Sequence, residues 1–143
     1  MARNTGKPSE RAFEDYWDSL GKKAFLRRWV DLAHVRGMNP ELHGIKFPAQ
    51  PADYVLTHAG ATSYCEVKSC SNKTSFPFSQ FEDEQWKAMK QVTASGGSYV
   101  IFIHNVNTDS WYQVYAQVIL NFDAMNKHSM SWHELERFTW LLM

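Results

Sequence analysis

Asp53 is followed thirteen residues later by Glu66-Val67-Lys68. Two carboxylates and the main-chain carbonyl of Val67 make an all-oxygen donor set, which suits a hard divalent cation such as Mg²⁺ or Mn²⁺. The ammonium of Lys68 adds a charge that can hold a phosphate oxygen or orient an attacking water. The same residue types also make an ordinary solvated face with a surface ion pair, so the pattern gains meaning only from what positions it.

Alternation supplies the positioning. Tyr54–His58 and Ser63–Lys68 are β-prone runs separated by Ala59-Gly60-Ala61, which reads as a turn, so the two runs form a hairpin that Asp53 opens. Side chains two apart on a strand share a face. Glu66 and Lys68 therefore project together, Cys65 and Val67 project the other way, and Asp53, Glu66 and Lys68 surround one point.

The continuation is more specific. Asn72-Lys73-Thr74-Ser75-Phe76-Pro77, then Phe81, Gln85, Met89-Lys90-Gln91-Val92, and Gly96-Gly97 before an apolar strand together resemble the RecU-type Holliday junction resolvases of the PD-(D/E)xK nuclease superfamily. The likeness covers about half of the chain. Ala52 stands where that family carries Thr or Ser, and an irregular loop at about residues 32–51 takes the place of the RecU stalk. The resemblance implies a restriction-endonuclease-like fold and a metal site of Asp53, Glu66 and the Val67 carbonyl, with Lys68 acting on the nucleophilic water. It also implies that Lys73, Thr74 and Ser75 hold backbone phosphates, that Gln85 faces the site, and that a helix-one glutamate, Glu14 of Arg11-x-x-Glu14, reaches the metal.

Composition sets the frame. A chain of 143 residues with 44% hydrophobic content is long enough for one globular domain, here residues 1–143. No run of about eighteen apolar residues suggests a membrane span, and the amino terminus lacks an apolar signal core, so a cytoplasmic protein is expected. Cys65 and Cys70 offer neither a disulfide framework nor a zinc spacing and read as free or buried thiols. The net charge is zero but unevenly spread. Residues 1–36 carry eight basic against five acidic residues, whereas residues 91–143 carry two against four. Lys22, Lys23, Arg27, Arg28 and Arg36 are the densest basic group, and phosphate contacts are expected chiefly from them.

The remaining pattern predicts the scaffold. Phe13, Tyr16, Trp17 and Leu20 recur at helical spacing until Gly21 stops them, and Glu10 reads as a first-turn acid suited to the helix dipole. Residues 24–31 favour a strand. Ser79 and Glu82 match a capping box for a second helix reaching Ala94. Tyr99–His104 reads as a central strand, residues 105–110 as a turn and Trp111–Val118 as another strand. Ser131-x-x-Glu134 caps a short last helix whose Trp132, Leu135, Phe138 and Trp140 pack inward or form a dimer surface.

The order helix, three strands, helix, strand predicts an α/β fold around a central mixed sheet. The expected function is Mg²⁺-dependent cleavage of branched or four-way junction DNA by a homodimer, because a junction needs two symmetric cuts and the chain holds one site. Two other readings remain: a restriction-like or nicking nuclease of the same superfamily, although no recognition helix is visible, and a non-catalytic DNA-binding module.

Overall fold

The computed structural model describes residues 6–29, 38–44 and 50–142. Arg36 and much of the 32–51 loop lie outside them. The elements are α1 (Gly6–Ser19), β1 (Ala24–Arg28), β2 (Tyr54–His58), β3 (Ala61–Cys70), β4 (Ser75–Pro77), α2 (Asp83–Ala94), β5 (Tyr99–Asn105), β6 (Ser110–Tyr115), α3 (Ala116–Ala124), β7 (Ser129–Ser131), α4 (Trp132–Leu135) and β8 (Thr139–Trp140).

Six strands form one mixed sheet in the order β1-β2-β3-β5-β6-β8. Only β3 and β5 are parallel, because α2 carries the chain back to the same end of the sheet between them; the other pairs are antiparallel. The order expected of a restriction-endonuclease-like core, helix, three strands, helix, strand, is the one observed. The small strands β4 and β7 pair beside it.

The hairpin at the centre of this order is tight. Ala59 and Gly60 both have positive φ, 52° and 82°, the two-residue geometry whose twist matches the flanking strands. Its register follows: Tyr54 pairs with Cys65 and His58 with Ala61. Register fixes which face each side chain takes, since a slip of one residue would exchange the faces.

One face carries α1. Phe13 and Trp17 of α1 bury against Tyr54, Leu56, Cys65, Val67, Val100 and Phe102. Phe13 is fully buried, so its truncation to Ala should cost about 3–5 kcal/mol. The other face carries α2 and α3 over Tyr99, Ile101, Ile103, Tyr112 and Val114, with Met89 and Ile119 fully buried between them. The aromatics near the carboxyl terminus belong to this monomer core: Trp132 and Phe138 pack against the α2–α3 side, and Trp140 against the α1 side.

Two elements differ from the pattern. Helix α2 is capped by Glu82, not Ser79. The Gln85 side chain returns to the Glu82 N–H at 2.9 Å, while Ser79 lies in a 3₁₀ turn, Phe78–Gln80. The strand expected through Val118 stops at Tyr115. The β-branched pair Val118-Ile119 suggests extended chain, but Ala116 and Ile119 are three apart and both buried, the spacing of a helix face. The capping box at Ser131 and Glu134 is present as read.

Candidate active site

Strand β2 ends at Tyr54, one residue short of the carboxylate. Continuing its register past Tyr54–Cys65 sets Asp53 opposite Glu66, and opposed residues of an antiparallel pair share a face. Val67 then has no strand partner on the β2 side, and its N–H points to Asp53 Oδ2 at 3.3 Å. The N–H and C=O of one strand residue leave on the same side, so the Val67 carbonyl also faces the gap where β2 has ended. Asp53, Glu66 and the Val67 carbonyl thus border one opening.

Glu66 is buried, with 2% of its surface exposed. Burial first and the neighbouring Asp53 second push its carboxyl up to about 9, against the opposing pull of Lys68. The Tyr99 hydroxyl lies 3.2 Å from Glu66 Oε1 and 2.7 Å from the Pro51 carbonyl, tying the entry to β2 to the glutamate. Gln85 donates to Glu66 Oε2 at 3.4 Å and accepts from Lys68 Nζ at 2.9 Å. Lys68 also donates to the Gln80 carbonyl at 3.0 Å. One amide therefore holds both the acid and the ammonium, and its carbonyl also caps α2. Lys68 lies on the Glu66 side of β3, as alternation requires.

Helix α1 brings two glutamates to Arg28 of β1. Glu14 accepts the Tyr54 hydroxyl and lies 3.2 Å from Arg28. Tyr54 is on the α1 face of β2, the face opposite to Asp53, so Glu14 is engaged there. Glu10, one turn earlier, is 3.0 Å from Arg28, and burial first, with Asp53 also contributing, raises its carboxyl above the ordinary range. Glu10 thus pairs with Arg28, and the charge of Asp53 contributes to the raised carboxyl. The contact of Tyr99 with Glu66 carries no signal in the sequence, since it joins strands far apart in the chain.

The remaining candidates are spread. Lys73 and Thr74 are exposed and Ser75 is half-buried at the start of β4, with the Thr74 carbonyl accepting from Trp132 N–H at 3.2 Å. Lys22 and Lys23 are exposed on the turn before β1. Arg27 is exposed on the Asp53 face, whereas Arg28 is on the α1 face between Glu10 and Glu14. Both cysteines are buried and free, and burial pushes the Cys65 thiol up to about 12.

The donors fit a hard cation. Mg²⁺ keeps several waters and takes one or two protein carboxylates, and a buried glutamate pressed against an aspartate is relieved by a cation between them. Among the described residues no group of three or more His, Cys, Asp or Glu side chains gathers to hold a metal, so the fit rests on Asp53, Glu66 and the Val67 carbonyl.

The chain is thus an α/β fold around a central mixed sheet, with Asp53 and Glu66-Val67-Lys68 at the end of a hairpin. Residues 45–142 match the family model described as Recombination protein U. The chain belongs to the RecU family. A solved structure to which the chain is similar is that of Hjc, a Holliday junction resolvase from the archaeal hyperthermophile Archaeoglobus fulgidus. Its TM-score is 0.45 at 13% identity, covering 76% of this chain and 77% of that one. No curated protein sequence matches. No described helix is long and apolar enough to cross a membrane.

Proposed function

We propose that this chain is a cytoplasmic, Mg²⁺- or Mn²⁺-dependent endonuclease that resolves branched DNA, four-way junctions above all, by hydrolysing phosphodiester bonds. The observation that carries the reading is the cross-strand placement of Asp53 against Glu66, with Lys68 on the same face and one Gln85 amide holding both Glu66 and Lys68. Membership in the Recombination protein U family supports it.

Asp53, Glu66 and the Val67 carbonyl would hold the cation, which when bound supplies Lewis acidity toward the scissile phosphate. Lys68 has three N–H donors. Gln80 and Gln85 take two, and the third would orient a water for in-line attack and stabilise charge on the phosphate. Lys73, Thr74 and Ser75 hold neighbouring backbone phosphates, which sets register without reading sequence. Lys22, Lys23, Arg27 and Arg28 add positive charge from the amino-terminal side.

The enzyme acts as a homodimer, since symmetric resolution needs two sites related by a two-fold axis. Sedimentation with junction DNA should give a complex of two 16.6 kDa chains per junction; one chain per junction would contradict the paired-cut reading. The activity itself is tested by incubating a four-way junction and a linear duplex of the same sequence with the protein in Mg²⁺ and in Ca²⁺. Cleavage of the junction in Mg²⁺ with little cutting of the duplex is expected. Equal cutting of both would leave a general nuclease of the superfamily, and no cutting of either would leave a binding module.

A further inference from the structure

Among the described residues strand β1 lies at an edge of the sheet, and its two faces are unlike. Ala24 and Leu26 turn toward α1 and help to cover its core. Phe25 and Arg27 turn the other way, opposite Thr57 and Val55 of β2. Helices α2 and α3 lie over β5 and β6 on that side. Phe25 is 52% exposed there and Trp29 38% exposed. The Arg27 guanidinium lies over the Phe25 ring at 4.2 Å.

Trp29 extends this stripe to the catalytic opening. Its N–H donates to the Asp53 carbonyl at 2.9 Å, which continues the β1–β2 register by one step beyond Arg28–Tyr54. Trp29, Asp53 and Glu66 therefore form one row across three strands, and side chains in neighbouring positions of such a row have Cβ atoms about 5 Å apart. The stripe Phe25, Arg27, Trp29 spans about 13 Å of strand and ends beside the carboxylates.

We infer that Phe25, Arg27 and Trp29 form a stacking platform for unpaired nucleobases of the branched substrate, leading a splayed strand into the opening at Asp53 and Glu66. This rests on the endonuclease reading above. Aromatic rings interleaved with a guanidinium take bases of any sequence, because every base has a π face and the cation answers the phosphate charge. Lys22 and Lys23, exposed on the turn that leads into β1, extend the positive charge along the same element. A fully paired duplex offers no free base face to such a stripe. A branch point does. The platform thus supplies shape selectivity that a chain of zero net charge cannot obtain from charge alone.

The test uses the full chain in Ca²⁺ with a branched DNA carrying 2-aminopurine at an unpaired position beside the branch, and a linear duplex as control. Wild type should quench the 2-aminopurine emission, Trp29→Ala should lose at least half of the quench, and Trp29→Tyr should keep it. Phe25→Ala and Trp29→Ala should each weaken branched-DNA binding by about tenfold, the size of one lost base stack, and change duplex binding by less than about twofold. Equal losses on branched and duplex DNA, or an unchanged quench in Trp29→Ala, would overturn the platform. So would sedimentation showing that these variants split a dimer, which makes the stripe an interface between copies. Quenching by a wild-type protein that cuts no DNA in Mg²⁺ would keep the platform and sink the endonuclease reading; cutting without quenching would do the reverse.

Discussion

Asp53 stands opposite Glu66 across the β2–β3 pair, one step beyond the last formal partners, Tyr54 and Cys65. Two carboxylates are thereby pressed together where one of them is buried, an arrangement that costs stability until a cation enters. The hairpin turn at Ala59-Gly60 sets the register that produces it, so the site and the fold depend on the same local geometry.

The first consequence is a pH dependence of stability without metal. Glu66 has its folded-state pKa raised above the ordinary glutamate value, so its contribution is fully present below about pH 4.3, where both states are protonated, and is lost as pH rises toward about 9. In EDTA the thermal midpoint should fall across that window. Glu66→Gln should flatten the fall and raise the midpoint at pH 8 by about 3 °C or more. A flat wild-type profile would show that Glu66 is not held buried beside Asp53.

Lys68 is tied to Gln80 and Gln85 rather than to a surface acid. Lys68→Ala should lower the single-turnover cleavage rate by about a hundredfold or more, the scale of one preorganised electrostatic contact. A loss of less than about fivefold would return Lys68 to an ordinary structural role.

The two helix-one glutamates should separate. Both pair with Arg28, but burial and the charge of Asp53 raise the Glu10 carboxyl, while Glu14 accepts the Tyr54 hydroxyl. Glu10→Gln should therefore reduce cleavage by at least about tenfold more than Glu14→Gln, on the scale of one charged contact near the reacting groups. Metal titrations followed by thermal shift should show weaker Mg²⁺ stabilisation for Glu10→Gln alone. Equal effects of the two would remove the distinction between Glu10 and Glu14.

Gln85 serves the cap of α2 and the site at once. Gln85→Ala should cost about 1 kcal/mol in chemical denaturation, the usual size of a lost cap, and also slow cleavage. A variant with the stability loss but wild-type turnover would confine Gln85 to capping.

Much of this was legible because strands report their own faces. Alternation along residues 63–68 was enough to group Glu66 with Lys68, and the turn before them was enough to bring Asp53 to the same place. What escaped depended on contacts between distant elements. Arg28 joins Glu10 and Glu14 of α1 to β1, and helical spacing alone is blind to such contacts. Likewise Ala116–Ala124 carries β-branched residues within a helix, where packing of Ala116 and Ile119 against the sheet overrides local preference. Ser79 matched a cap by pattern, but the 3₁₀ turn after β4 delays the helix until Glu82.

The most direct test is single-turnover cleavage of a four-way junction in Mg²⁺ by wild type, Asp53→Asn and Glu66→Gln, with binding of each variant measured in parallel. The wild type should make paired, symmetric nicks near the branch, and both variants should bind the junction yet lose cleavage by at least about a thousandfold, as removal of a metal ligand requires. Variants that cut the junction at near wild-type rates would contradict the assignment of Asp53 and Glu66 as the centre of the active site.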